Sequence, residues 1–198
     1  MGRKAREERQ ERREDIVAKR SQAKRKTTLM AAGILALIAV IVGYSSYVFV
    51  TMDSNVPGAP PGAGKLGDEH VHSSLLVRIF GDKFDFAVPS YQIKSSWIHF
   101  EDSDGTTIHR HATGVTIGYL FDSLNIGIDS KCFVFPDGRQ FCTNEDYSLK
   151  YYINHQPVSS INDYIFEDGD RILISFGPET PEQIEEQLLE LEAQIIKG

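Results

Sequence analysis

The apolar positions divide the chain into one long uncharged stretch and a body with shorter repeating patterns. Residues 29–50 carry no charged side chain and are largely apolar. About 20 consecutive apolar residues are enough for a helix to cross the hydrocarbon core of a bilayer. A secretory signal would have a shorter apolar run and a small-residue cleavage site, which the YSSYVFV end of this stretch does not offer. The pattern predicts a transmembrane helix over residues 29–50 that contacts the lipid bilayer.

The body alternates apolar and polar positions with the period of two that is typical of half-buried strands. Val71, Leu75 and Val77 share one face of the first strand, which is predicted to turn at Gly81-Asp82 and return. A second hairpin is predicted within WIHFEDSDGTTIHRH, residues 97–111. Further strands are expected in the segments CFVFPDGRQFC, LKYYINHQPV and YIFEDGDRILISFG.

Two segments have helical periodicity instead. In TIGYLFDSL, apolar residues at i, i+3, i+4 and i+7 predict a helix capped by Thr116. Near the end of the chain, Thr180, Pro181 and Gln183 have the spacing of a capping box and predict an amphipathic helix within residues 178–198. Its apolar stripe consists of Ile184, Leu188, Leu191 and Ile195. The sequence leaves open whether this stripe docks on the sheet or on a membrane protein partner.

Hairpins, a helix packed on them and further strands predict an α+β fold. We expect an N-terminal transmembrane helix followed by a β-rich, β-grasp-like extracytoplasmic domain with one packed helix and a C-terminal helix. The predicted segments are a basic tail (1–28), the span (29–50), a Pro/Gly linker (51–68), the β-rich domain (69–177) and the C-terminal helix (178–198).

Charge sets the predicted orientation. Residues 1–28 hold eleven Lys and Arg against five Asp and Glu, whereas the whole chain has a formal net charge of −7. Positive charge beside a span favours the cytoplasmic side, which puts the acidic body outside the membrane. The basic tail mixes Arg with Glu and lacks aromatic residues, so we expect no nucleic-acid partner.

Histidines are concentrated in the predicted strands. Because side chains alternate between the two faces of a strand, residues at i and i+2 point the same way. In the second hairpin, a type I turn with a glycine bulge at residues 103–105 would place His99 opposite His109. On the face opposite the apolar core, three strands each offer a pair of ligand-type side chains: His70/His72, His99/Glu101 and His109/His111.

Five imidazoles and one carboxylate form a ligand set that suits Zn²⁺, Cu²⁺ or Ni²⁺. No Met or Cys lies in these segments, which argues against a Cu⁺ site. The sequence therefore predicts a copper or zinc site, provided that the first strand lies beside the hairpin. The alternative is a polar sheet face of ordinary surface histidines. His155, in a predicted tight turn, is assigned to that ordinary class.

The two cysteines flank a predicted turn at residues 136–138. Pairing Phe135 with Arg139 across that turn places Cys132 directly opposite Cys142. A non-hydrogen-bonded pair has the close Cα spacing that a cross-strand disulfide needs, and an extracytoplasmic compartment permits one. Two reduced core cysteines are the alternative. A catalytic dithiol is less favoured, because the C-x-x-C spacing at a helix start is missing.

Several segments carry a resemblance to known proteins. EHVHSSLLVRIFGDKFDF, IKSSWIHFEDSDGTTIHRH, VTIGYLFDSLNI and INDYIFEDGDRILISFG resemble a family of small membrane-anchored ectodomains found in archaea. Some members of that family are labelled protein-disulfide isomerase. More distantly, the chain is similar to bacterial ectodomains with the pattern HxH, W-L-H-T-H-D, G-I-I-H-I-E and T-L-G-x-F-F. The resemblance covers residues 69–177.

The resemblance implies that the histidines act as a set. His70 and His72 match the first HxH, while His99 and His109 match the first His of H-T-H and the His of I-I-H. The chain has Glu where the bacterial pattern has His, and His where that pattern has Glu. This exchange leaves the inventory of ligand types unchanged, and it involves Glu101 and His111.

The leading hypothesis is a membrane-anchored metal-binding protein for metal capture, for delivery, or as an accessory to a membrane metalloenzyme. We favour a protein without catalytic activity, since a metal site whose positions are all filled by protein ligands leaves little room for catalysis. The alternatives are a thiol–disulfide oxidoreductase using Cys132 and Cys142, and a non-catalytic interaction module of a membrane complex. A hydrolase with a metal-bound water would have Glu101 as its base.

Overall fold

The computed structural model describes residues 2–51 and 58–198 and divides into two compact units at residue 52. The first unit is one continuous helix, α1 (Gly2–Thr51). Its segment Lys19–Val48 is long and apolar enough to cross a membrane, which confirms the predicted apolar helix. Part of the predicted linker, residues 52–57, lies outside the described residues.

The second unit is a β-rich α+β domain, as predicted. Its helices are α2 (Ile117–Ser123) and α3 (Pro181–Glu192), with a 3-10 turn at Pro89–Tyr91. Its strands are β1 (Val71–Ile79), β2 (Asp82–Lys83), β3 (Ile98–His99), β4 (Thr107–Arg110), β5 (Gly127–Ile128), β6 (Cys132–Val134), β7 (Gln140–Cys142), β8 (Ser148–Ile153), β9 (Gln156–Val158) and β10 (Arg171–Gly177).

The main sheet has the strand order β3-β4-β1-β10-β8-β9, with β2 paired to β1 as a hairpin. β1 and β10 run parallel at its centre, and the other pairs in the sheet are antiparallel. A smaller antiparallel sheet has the order β5-β6-β7. The central parallel pair brings the start of β1, where His72 lies, beside the turn that precedes β10.

Apolar residues cover both faces of the central strands. On one face, Leu75 and Ile172 belong to the main core together with α2 and the smaller sheet. On the other face, Leu76 and Leu173 pack against α3. The stripe residues of α3 that are buried there are Ile184, Leu188 and Leu191. The C-terminal helix therefore docks on the sheet, which resolves the alternative that the sequence left open.

The prediction for the end of this helix was wrong. Helix α3 ends at Glu192, and Ile195 is 79% exposed instead of joining the stripe. The chain leaves the helix because Arg171 donates hydrogen bonds to the carbonyl oxygens of Leu191 and Gln194, at 2.8 and 3.1 Å. These bonds hold the segment after the helix against the sheet.

Two hairpin turns also differ from the prediction. The β1–β2 turn lies at Phe80-Gly81, one residue earlier than predicted, and both residues have positive φ. In the second hairpin, Asp102 and Ser103 have φ values of 54° and 55° and replace the predicted glycine bulge. Gly105 is needed for another reason: a Cβ there would lie 2.4 Å from the backbone nitrogen of Ala87.

Other local predictions are confirmed. Thr116 caps α2, and Thr180 and Gln183 form the capping box of α3. Cys132 and Cys142 face each other across β6 and β7 and form a disulfide, with their Cα atoms 4.1 Å apart. At the start of the domain, the backbone N–H groups of Gly64 and Gly67 donate to the loop that follows β4, at 2.8 and 2.6 Å.

Candidate metal centre

The candidate site is built on β4, which lies between β1 and β3. His109 pairs with His72 of β1 on one side and with His99 of β3 on the other. The hairpin thus has the predicted register. The first strand also lies beside the hairpin, as the predicted site requires. Side chains of directly opposed residues lie on the same face of a sheet, so these rings meet.

Three imidazoles form the tightest group. One nitrogen from each of His70, His72 and His109 lies within 4.8 Å of the others. The Nε2 atoms of His70 and His72 are 3.2 Å apart, and the rings of His72 and His109 have centroids 4.7 Å apart. His109 is buried, His72 is half-buried and His70 is exposed. The group therefore opens to solvent on the His70 side.

Two of these rings have a carboxylate behind them. His72 Nδ1 lies 3.6 Å from Asp168 Oδ1, and His109 Nδ1 lies 3.4 Å from Glu101 Oε1. A carboxylate beside one ring nitrogen orients the imidazole and makes the opposite nitrogen a better metal ligand. His109 Nδ1 nevertheless makes no hydrogen bond within the described residues, and His72 Nε2 faces His70 Nε2.

Asp168 was missed at the sequence level. Its Oδ1 atom also accepts a hydrogen bond of 2.8 Å from the backbone N–H of His72, while the N–H of Gly169 donates to the carbonyl oxygen of His72 at 2.8 Å. The turn before β10 is thus tied to the start of β1. Only the parallel pairing of β1 with β10 would have shown this contact in advance.

The structure places both ring nitrogens of His99 against protein oxygen atoms. Its Nδ1 atom lies 2.7 Å from the carbonyl oxygen of Ser95, and its Nε2 atom lies 3.1 Å from Glu101 Oε2. Because both ring nitrogens face acceptors, neither is available to a metal ion in this arrangement. His99 instead orients Glu101, which in turn faces His109.

His111 lies at the edge of the group. Its ring centroid is 4.4 Å from that of His70 and 4.9 Å from that of His99. Its Nε2 atom is buried and has no hydrogen-bond partner among the residues that the structure describes. Buried polar atoms are seldom left without a partner, so this nitrogen has an unused capacity to bind, although it lies outside the group of three nitrogens within 4.8 Å. His155 lies elsewhere, 3.6 Å from Glu192, as its assignment to the surface predicted.

The protonation of the group suits metal binding. Burial lowers the pKa of His109 and of His111, and the neighbouring histidines add to this effect, which outweighs the opposing charge of Glu101. Both rings are therefore neutral near pH 7, which is the form that coordinates metal. The hydrogen bond from His99 lowers the pKa of Glu101, which keeps this carboxyl ionised.

The surroundings of the group are less open than the sequence suggested. We predicted a sheet face without an apolar core, but the same face carries α3 and its smaller core. The segment after α3 continues along this face: Lys197 donates its backbone N–H to Thr107 Oγ1 at 3.2 Å, and Gly198 lies against the ring of His72. The face is thus covered next to the histidines.

The available donors narrow the choice of ion. Both cysteines of the chain are in the disulfide, and its three methionines are Met1, Met30 and Met52. The described domain therefore offers nitrogen and oxygen ligands without thiolate or thioether sulfur. Such a set suits Zn²⁺ and Cu²⁺ better than Cu⁺.

Comparison with known proteins does not assign the chain to a family. No family model matches the chain, and no curated protein or solved structure matches it either.

Proposed function

We propose that the β-rich domain binds one Zn²⁺ or Cu²⁺ ion, and that the protein serves in metal capture or delivery or as an accessory to a membrane metalloenzyme. The ligands are the ring nitrogens of His70, His72, His109 and His111. The observation that carries the proposal is the group of three histidine nitrogens within 4.8 Å, with a carboxylate behind two of the rings.

Four protein ligands favour binding over catalysis. Structural zinc sites use four protein ligands, whereas catalytic sites keep one position for water. His111 supplies the fourth donor, and Glu101 is already engaged by His99 and His109. Glu101 is therefore not free to act as the general base of a hydrolytic mechanism.

The first unit and the disulfide support an extracytoplasmic location for the β-rich domain. Helix α1 spans the membrane through its apolar segment, with residues 1–28 in the cytoplasm and the β-rich domain outside. The excess of Lys and Arg before the span supports this orientation. The disulfide supports it too, because disulfides persist in oxidising compartments. The central parallel β1/β10 pair with α2 on one face supports a β-grasp-like fold for the domain.

The test is metal binding by the full chain in detergent micelles or lipid nanodiscs. The protein is dialysed against Zn²⁺ or Cu²⁺, and the bound metal is measured by mass spectrometry. We expect about one equivalent in the native protein and its loss in His72→Ala and in His109→Ala. His155→Ala is the matched control and should bind as the native protein does.

A thermal unfolding scan of each variant, without metal, shows whether the fold is kept. Equal metal content in the native protein, His72→Ala and His109→Ala would refute the site. So would a loss that also occurs in His155→Ala, because that result would indicate unspecific binding to surface histidines.

A further inference from the structure

A second site lies at the other end of β1 from the histidines. A groove with a volume of about 570 Å³ runs between α3 and the β1–β2 hairpin. This volume is in the range of small-molecule pockets. One wall is a polar face of α3, and the other is the turn at Phe80-Gly81. The helix residues that line the groove are Gln183, Glu186, Gln187 and Glu190.

Charged side chains in the groove and next to it form ion pairs with one another. Arg78, Ser175 and Lys150 are in register across β1, β10 and β8. Lys150 Nζ donates to Glu179 Oε2 at 2.9 Å, and Arg78 forms an ion pair with Glu190. Within these ion pairs no charge is left unpaired for an ionic ligand. What they leave for a ligand is hydrogen bonding to individual polar atoms.

Two residues that line the groove, Gln187 and Glu179, each have a buried Oε1 atom with no hydrogen-bond partner within the described part of the chain. The buried Nε of Arg78, which also lines the groove, lacks a partner too. Gln187 is 7% exposed and the Glu179 side chain is 6% exposed. A buried acceptor without a donor is costly, and the cost disappears when a ligand supplies the donor. Among the unpartnered buried atoms of the lining residues, two are acceptors for N–H groups and one, Arg78 Nε, is a donor.

The rim favours a cation. Glu186 has no ion-pair partner among the described residues, and Phe80 presents an aromatic side chain that is 48% exposed. An aromatic ring and a carboxylate together favour an organic cation, while the carboxylate of Glu186 would repel an anion. The body of the protein is acidic as a whole, which also attracts cations.

We propose that this groove binds a primary alkylammonium group. Its three N–H donors match the acceptors Glu179 Oε1 and Gln187 Oε1 and the carboxylate of Glu186. The group belongs either to a free diamine or to a lysine side chain of a partner, since both present the same chemistry.

Calorimetric titration of the full chain in detergent micelles tests the proposal. The probes are putrescine for the free amine, Nα-acetyl-lysine methylamide for the side chain, and 1,4-butanediol as the uncharged control. We expect saturable binding of at least one ammonium probe, at least about tenfold stronger than that of the diol, or about 1.4 kcal/mol. Putrescine alone would identify a free amine, and the lysine analogue would identify a partner side chain.

Two variant pairs make the test specific. Glu186→Gln removes a carboxylate at the rim, whereas Glu185→Gln removes the neighbouring carboxylate of α3 outside the groove. We expect about tenfold weaker binding in the first and native binding in the second. Gln187→Leu should weaken binding while keeping native thermal stability, and His72→Ala should leave it unchanged. The proposal fails if neither ammonium probe binds saturably, or if Glu185→Gln weakens binding as much as Glu186→Gln.

Discussion

Asp168 accepts a hydrogen bond from the backbone N–H of His72, a residue 96 positions earlier in the chain, and its Oδ1 atom lies 3.6 Å from His72 Nδ1. This one carboxylate positions both the main chain and the ring of a proposed metal ligand. It connects the turn before β10 to the start of β1.

Asp168→Asn should weaken Zn²⁺ binding by about 10–100-fold, because the amide supports the imidazole less well than a carboxylate does. Asp163→Asn changes an exposed carboxylate on the loop before that turn and should bind Zn²⁺ as the native protein does. A competition titration against a chelator of known affinity measures both. Equal affinities in the two variants would show that Asp168 does not act on the site.

The geometry separates ligands from positioning residues, and Cu²⁺ electron paramagnetic resonance can count the coordinated nitrogens. His109→Ala should remove one nitrogen from the Cu²⁺ spectrum. His99→Ala should keep the native number, because both ring nitrogens of His99 already face protein acceptors. Its Cu²⁺ affinity should still fall by about tenfold, since Glu101 loses its support. A lost nitrogen in His99→Ala would make His99 a ligand after all.

The disulfide is expected to be structural. Replacing both Cys132 and Cys142 by Ser should lower the free energy of unfolding by about 2–3 kcal/mol, because the crosslink closes a short loop in the unfolded chain. Urea unfolding, followed by the fluorescence of the buried Trp97, measures the loss. Zn²⁺ affinity should be unchanged, as neither cysteine lies among the histidines.

A redox titration in glutathione buffers distinguishes this role from that of an oxidoreductase. A structural disulfide should resist the buffer, with a potential below about −300 mV. Easy reduction together with unchanged stability of the Ser variant would favour the thiol–disulfide alternative.

Gly118 offers a test of packing in α2. Alanine usually stabilises a helix by about 1 kcal/mol relative to glycine. At this position a Cβ would lie 2.6 Å from the carbonyl oxygen of Asn162, which already accepts a hydrogen bond from the Gly118 N–H at 2.9 Å. Gly118→Ala should therefore destabilise the domain by about 1–3 kcal/mol. Asp122→Ala, at an exposed position of the same helix, should change stability by less than about 0.5 kcal/mol.

Asp104 gives the domain a predictable response to acid. Burial opposes its ionisation, but hydrogen bonds from Thr106 and Thr107 outweigh that effect and hold its pKa below the ordinary value. A carboxyl with a depressed pKa in the folded state stabilises the fold above its unfolded pKa of about 3.9. That stabilisation is lost as the pH falls through the folded pKa.

Unfolding free energies measured between neutral pH and strongly acidic pH should thus drop steeply in the native protein below about pH 4. The drop should be shallower in Asp104→Asn, which is already weakened at neutral pH. Asp102→Asn, at an exposed position in the same turn, should retain the native slope. An identical acid response in Asp104→Asn and the native protein would contradict this account.

Much of the local structure could be predicted because its causes lie close together in sequence. The capping box at Thr180 and Gln183 needs only a three-residue spacing and a following helix. The pairing of Cys132 with Cys142 follows from the turn between them, as does that of His99 with His109. In the second hairpin the predicted register was correct although the predicted turn type was wrong. The two turn types contain the same number of residues between the strands, so the same strand residues stay opposite each other.

The same reasoning failed where a residue contacts a partner that is far away in the sequence. Gly105 was read as a turn glycine, yet the close approach of the Ala87 backbone is what excludes a side chain there. Ile195 was placed on the helical stripe, yet Arg171 of β10 holds the chain off the helical path after Leu191.

The sequence by itself determined the apolar helix, the caps, the hairpin pairings and the composition of the histidine set. These features depend on backbone sterics and on hydrogen bonds between residues that are close in sequence, so a local sequence pattern predicts them. Only the tertiary structure decided that Asp168 lies beside His72, that Glu101 lies between His99 and His109, and that α3 covers the sheet and borders the groove. Those contacts depend on the parallel pairing of β1 with β10, which joins segments about a hundred residues apart and has no periodic signature of its own.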